Sequence, residues 1–249
     1  METVKLVINN QQNDKRKTAQ LVLNSPHNLN AINKELYDEL KNNLETIKHR
    51  KDIGVLLLSS EVSKAFSTGV DVKYIQSLTN EEASTFFSEI SFLLDQITHL
   101  PIPTIAFVHG YAYGAGADLA LSCDLRIAAS SAVFRFPGPQ FGLILGTQRL
   151  IHEIGPGTAR YLTLLNKKID AKTAKVYGLV HEMYQDLTEA QDSATNLIQN
   201  LKGVPYQTIQ TLKELTNEQL PISHDLTRKS ILHGDFQKRF RQYISKSFS

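Results

Sequence analysis

A chain of 249 residues that is 41% hydrophobic can bury one large core or two unequal ones, so one main domain with an appendage is expected. Its 27 Lys and Arg against 25 Asp and Glu leave a net charge of +2, too small and too evenly spread for a nucleic-acid surface. The single cysteine, Cys123, excludes an internal disulfide or a multi-cysteine metal site, no basic leader precedes an apolar run, and no stretch approaches the ~20 apolar residues of a membrane span, so the cytoplasm is the expected location.

Two strands are expected first, Val4 to Ile8 and Thr18 to Leu23, joined by the polar run Asn9 to Lys17 as a hairpin loop. Leu36, Leu40, Leu44 and Ile47 then recur at helical spacing, with Asn33 as the cap. Ile53 to Leu58 is nearly all apolar and suits a strand buried on both faces. A loop through Gly69 leads to a short helix from Asp71, and Thr79-Asn80-Glu81-Glu82 has the capping-box spacing of a longer one. Thr104 to Val108 reads as a second buried strand, Asp118 to Ser122 as a short helix, and Leu125 to Ala129 as a third strand. Strands alternating with helices in this order pair in parallel through right-handed crossovers, which makes an α/β core. Beyond Thr147 helices are expected at Thr158 to Leu165, Ala171 to Tyr177, Thr188 to Leu201, Pro205 to Thr216 and about Ile222 to Tyr243, with a brief strand within Leu179 to Tyr184. Gly203 and Pro205 mark a soft boundary, giving a core over residues 1–195 and a C-terminal helical region over residues 196–249.

Two segments carry the chemistry. Gly110-Tyr111-Ala112-Tyr113-Gly114-Ala115-Gly116-Ala117-Asp118 lies between a buried strand and a helix, where small residues admit a ligand to the backbone and free N–H groups attract negative charge. A tight turn that needs glycine for geometry alone accounts for it equally well. It is not a dinucleotide fingerprint, since Leu119 stands where the third glycine would be. The second segment, Ala65-Phe66-Ser67-Thr68-Gly69-Val70-Asp71-Val72-Lys73, is either an ordinary loop with Asp71 as a cap or the partner of the first. Each follows a buried parallel strand, so both should emerge at one carboxyl edge and can aim two backbone N–H groups at one oxygen.

With Leu23-Asn24-Ser25-Pro26, Asn30-Ala31-Ile32-Asn33, Cys123-Asp124-Leu125-Arg126-Ile127-Ala128, Gly146-Thr147-Gln148-Arg149-Leu150 and Gly178-Leu179-Val180, these segments resemble the crotonase (enoyl-CoA hydratase/isomerase) family over about residues 4–185. The resemblance implies a spiral of strand-strand-helix turns forming two roughly perpendicular sheets, with C-terminal helices mediating homotrimers that often pair into hexamers. It also implies an acyl-CoA substrate, with coenzyme A arriving as part of it and no metal, nucleotide or flavin cofactor. The implied oxyanion donors are the N–H groups of Val70 and Ala115. Contacts to the acyl-CoA are implied at Asn28, Leu29, Ala31, Ala65, Ser67, Gly69, Asp71, Val72, Lys73 and Gly114. Hydratases of the family use two glutamates; the corresponding positions here are Asp118 and Gly138, and glycine transfers no proton.

The expected function is therefore the processing of acyl-CoA thioesters through a stabilised enolate, with two-glutamate hydration impaired. The alternatives are a single-acid isomerase, decarboxylase or thioesterase, or a non-catalytic acyl-CoA-binding subunit. Asp118 is expected either to act in catalysis or to cap a helix, and the dipole at that helix start is expected to keep it ionised near neutrality. Tyr113 is read as a packing residue and His109 as a turn histidine, while Arg135 and Gln140 flank the empty acid position and can point either way. Lys73, Lys64 or Lys238 of another subunit could meet the nucleotide phosphates, though each also reads as a solvated surface residue.

Overall fold

The computed structural model describes residues 2–9, 16–185, 187–218 and 222–247. Positions 10–15 of the expected hairpin loop lie outside the described residues. Its two strands, β1 (Val4–Asn9) and β2 (Lys17–Leu23), pair antiparallel as the sequence suggests. Within the large sheet the pairing is parallel from β2 onward, through β3 (Ile53–Ser60), and then, after β4 (Ala65–Ser67) of the other sheet, through β5 (Thr104–Val108).

The remaining strands are β6 (Tyr111–Tyr113), β7 (Leu125–Ala129), β8 (Val133–Arg135), β9 (Lys168–Asp170) and β10 (Glu182–Tyr184). Six strands form one sheet in the order β1-β2-β3-β5-β7-β10, and four short ones form another in the order β4-β6-β8-β9. The buried strands read from apolar runs are those of the large sheet. The sequence reading of single residues missed the small sheet, because a strand of three residues is too short to show a period.

The helices cover these sheets. In α1 (Lys34–Lys48) the Asn33 carboxamide accepts from Leu36 N at 3.0 Å, and Leu36, Leu40, Leu44 and Ile47 are buried. After the short α2 (Val72–Ser77), the expected capping box of Thr79 and Glu82 opens α3 (Asn80–Thr98). Next come α4 (Ala115–Leu121), α5 (Thr147–Leu164) and α6 (Ala171–Val176). Gly155 breaks the helical path inside α5 just before Pro156, which has no N–H to continue it.

Four helices follow. α7 (Leu187–Lys202) sets Ala194 and Ile198 against Val55, Ile105, Phe107 and Ile127 of the large sheet. In α8 (Tyr206–Asn217), Lys213 reaches Asp124 at 2.7 Å and Ile102 O at 3.1 Å. The single helix expected over 222–243 is two, α9 (His224–Leu232) and α10 (Phe236–Ser247), because His233 takes an extended conformation. That break folds α10 back so that Phe236 and Phe240 enter the main core beside Phe87 and Phe141. Among the described residues no helix is long and apolar enough to cross a membrane.

Candidate active site

Three successive turns of the chain share one plan: a strand in the large sheet, a short strand in the small one, then a helix. The two glycine-rich segments follow the parallel strands β3 and β5, as expected, and each contains a short strand of its own, β4 and β6, which are parallel neighbours in the small sheet. This pairing sets the loops side by side. At Gly69 φ is +93°, and a Cβ there would stand 2.7 Å from Tyr113 O and 3.5 Å from Ala115 N, so only glycine allows the approach.

The N–H groups of Val70 and Ala115 are left without acceptors among the described residues. Val70 forms a parallel bridge with Ile32, in which Ile32 N donates to Gly69 O at 2.7 Å and Asp71 N to Ile32 O at 2.9 Å. In that pattern the N–H of Val70 itself points away from Ile32. Ala115 is the first residue of α4 and follows a glycine that offers no side-chain cap, so its N–H is one of the unpaired donors of a helix start. Both residues line one cavity of about 280 Å³.

Asp118 faces the same cavity from one turn inside α4. It does not cap the helix, since Gly114 holds the cap position and Asp118 N donates to Gly114 O at 2.9 Å. Its side chain is 7% exposed and accepts the N–H of Gly146, where a Cβ would lie 2.0 Å from Oδ1. Burial pushes its carboxyl up to about 7, and the opposing pull of Arg149 and of the Gly146 N–H does not offset that effect. The expectation of a firmly ionised aspartate fails because desolvation outweighs the dipole. Such a group is poised to give or take a proton near neutrality, and it is the only carboxyl lining the cavity among the described residues.

Gly138 lines the same cavity and begins a 3-10 turn, Gly138–Phe141. Its φ is not in the left-handed region; the obstacle to a side chain there is Leu143 O, 3.0 Å from an added Cβ. Around it the wall is apolar, from Phe141, Leu143 and Leu145 to Phe240 and Ile244 of α10.

Residues 13–246 match the Enoyl-CoA hydratase/isomerase family. The chain belongs to the enoyl-CoA hydratase/isomerase family. It is 34% identical over 172 residues to the mitochondrial methylglutaconyl-CoA hydratase of Homo sapiens, covering 68% of this chain and 51% of that protein. To the crotonyl-CoA hydratase of Syntrophomonas wolfei it is 35% identical over 174 residues, covering 68% and 66%. The matched part thus spans about half to two thirds of the length of these relatives. Its fold matches that of an enoyl-CoA hydratase from Bacillus anthracis with a TM-score of 0.80 at 26% identity, over 99% of this chain and 95% of that one. The crotonase resemblance and the mixed α/β fold read from the motifs are both borne out.

Of the residues that the family resemblance nominated, Gly69, Val70, Val72, Gly114, Ala115 and Asp118 line the cavity. Asn28, Leu29, Ala31, Ala65, Ser67, Asp71 and Lys73 do not. Several of these hold the loops in place. Asp71 caps α2 through Tyr74 N at 3.0 Å and accepts from Asn28 at 3.3 Å, while Ser67 Oγ donates to Asn30 O at 2.7 Å and accepts from Gly69 N at 3.2 Å. Leu29 and Ala31 flank Asn30, whose buried side chain accepts from Ser25 N at 2.7 Å and donates to Phe66 O at 2.9 Å. Ala65 is buried in β4, and Lys73 is exposed at the start of α2.

His109 is buried outside this cavity with a ring nitrogen 3.0 Å from Val62 O. Tyr113 lines the cavity, as do Arg135, Lys168 and Tyr243. Lys168 and the cavity-lining Phe240, Tyr243 and Ile244 were not singled out in the sequence, because only the register of the small sheet and the fold-back after His233 bring them here. No group of three or more His, Cys, Asp or Glu side chains that could hold a metal occurs among the described residues.

Proposed function

We propose that this family member binds acyl-CoA thioesters in the cavity and stabilises their enolate, with Val70 and Ala115 as backbone donors and Asp118 as its single proton-transfer group. One observation carries this reading: two N–H groups without acceptors and one buried, proton-sharing carboxyl converge on the same cavity. The thioester oxygen would accept from both N–H groups, and as the proton leaves the α carbon for Asp118 the negative charge would develop on that oxygen. Each such donor lowers the barrier by ~3 to 4 kcal/mol in enzymes where one has been removed. The proton held by Asp118 can return to the same carbon or to the γ carbon, which shifts a double bond. Hydration needs a second group to handle water, and Gly138 supplies none. Coenzyme A is part of the substrate in this scheme, and assembly into trimers or hexamers follows the family.

The direct test is exchange in deuterium oxide. With butyryl-CoA, enolate formation moves deuterium into the α position, read as a mass increase of the recovered thioester, and Ala115→Pro should abolish it by deleting a donor while circular dichroism confirms folding. Saturable binding without exchange would leave a non-catalytic acyl-CoA-binding protein. Exchange undiminished in the folded proline variant would remove Ala115 from the mechanism.

A further inference from the structure

Three strands of the small sheet set Tyr113, Arg135 and Lys168 in one row. Tyr113 of β6 pairs in register with Arg135 of β8, and Arg135 pairs in register with Lys168 of β9. Residues directly opposite on neighbouring strands share a face and lie about 5 Å apart. All three line the cavity, Tyr113 and Arg135 half-buried and Lys168 exposed at its mouth.

Two cations directly opposite each other destabilise a strand pair. Among the described residues no carboxylate forms an ion pair with either. Arg135 donates through Nε to the neutral Asn166 Oδ1 at 2.9 Å, which orients the guanidinium without neutralising it. Asp170, two residues along β9, is engaged with Thr173 N at 2.8 Å as the cap of α6. Asp118 is the only carboxyl on the cavity wall, and its buried partners are Gly146 and Arg149. A planar guanidinium flanked by a phenol and an ammonium is a donor set suited to a carboxylate.

We propose that Tyr113, Arg135 and Lys168 form a shelf for an anionic end of the acyl group, so that the preferred substrates are thioesters of dicarboxylic acids. This rests on the thioester reading above and adds the substrate class. The row begins two residues before Ala115 and lines the same cavity as that residue, so the shelf and the thioester donor share one space. The other source of the same chemistry is a phosphate of coenzyme A itself, and the controls separate the two.

The experiment compares glutaryl-CoA, pentanoyl-CoA and free coenzyme A by calorimetric titration at low salt. Glutaryl-CoA and pentanoyl-CoA share a five-carbon acyl chain and differ in the terminal carboxylate. Wild-type protein should bind glutaryl-CoA on the order of tenfold more tightly than pentanoyl-CoA. The Arg135→Gln/Lys168→Gln double variant should lose most of that preference, Lys168→Arg should keep it, and affinity for free coenzyme A should not move. Equal binding of the two thioesters by the wild type overturns the shelf alone, and so does a preference that survives in the double variant. An equal loss for free coenzyme A assigns the cations to its phosphates and also overturns it. Failure of both thioesters to bind overturns the thioester reading together with this one.

Discussion

Asp118 sits between opposed influences: burial favours its neutral form, while Arg149 and the Gly146 N–H favour its anion, and burial prevails with a pKa of about 7. An unfolded aspartate titrates near ~3.9, so between those values the folded chain holds the proton that the unfolded chain has lost. Stability contributed by this group therefore falls as pH rises from about 4 to about 7, and the cost is complete above 7. Asp118→Asn has no such titration. Its stability relative to wild type should rise between pH 4.5 and pH 8 by up to ~3 kcal/mol, read by urea unfolding. A flat difference across that range would mean an ordinary ionised carboxylate. Turnover in the same variant should drop ~100-fold or more if the carboxyl moves the proton, whereas a change of a few fold would leave it a packing role. At Gly138 the expectation runs the other way. Gly138→Glu should raise hydration of crotonyl-CoA, since a general acid–base group contributes ~10²- to 10⁴-fold, but only as far as the Leu143 carbonyl, 3.0 Å from the new Cβ, can yield. Loss of the enoyl absorbance measures it, and rapid hydration by wild type would show that another group already does the work of the second acid.

Among the elements, those long enough to repeat a pattern were legible in advance: the leucine row of α1, the capping box of α3 and the apolar runs of β3, β5 and β7 all stand where their residues suggest. The site depends on elements that show no such pattern. β4, β6, β8 and β9 have three residues each, and their pairing decides that the two loops are neighbours and that Arg135 faces Lys168. Val70, Ala115 and Asp118 were nominated by the family resemblance that the motifs carry, since a backbone donor leaves no mark of its own in the letters. The proton affinity of Asp118 is not legible in the motif because it depends on burial and on Arg149 and the Gly146 N–H, which only the fold brings against it. Gly69 is the point where loop and helix meet. Gly69→Ala must relieve a φ of +93° and a 2.7 Å approach to Tyr113 O, and the only available relief is to part the loop from α4. Exchange of the α proton should fall by at least as much as one lost donor implies, ~10² or more, while the far-ultraviolet spectrum stays native. Exchange at the wild-type rate would show that the loops need not touch.

At the scale of the whole molecule, the C-terminal helices contribute to the interior as well as to the surface. Ile231 of α9 and Phe236 and Phe240 of α10 belong to the same buried cluster as Leu21, Leu58 and Phe134 of the sheets. The ring of Phe240 stands 5.2 Å from that of Phe141 and 5.6 Å from that of Phe236, and it also lines the cavity. Removing it takes away buried surface, leaves a void between α10 and the turn at Gly138–Phe141, and opens the cavity wall. Phe240→Ala should therefore cost ~3 to 5 kcal/mol and weaken thioester binding together with stability. Because the core is shared, urea unfolding should remain one transition, with far-ultraviolet circular dichroism and tyrosine fluorescence moving together; the chain has no tryptophan to report separately. Two resolved transitions, with thioester binding intact after the first, would instead make the C-terminal helices a unit that folds apart from the cavity, and would take α10 out of the site.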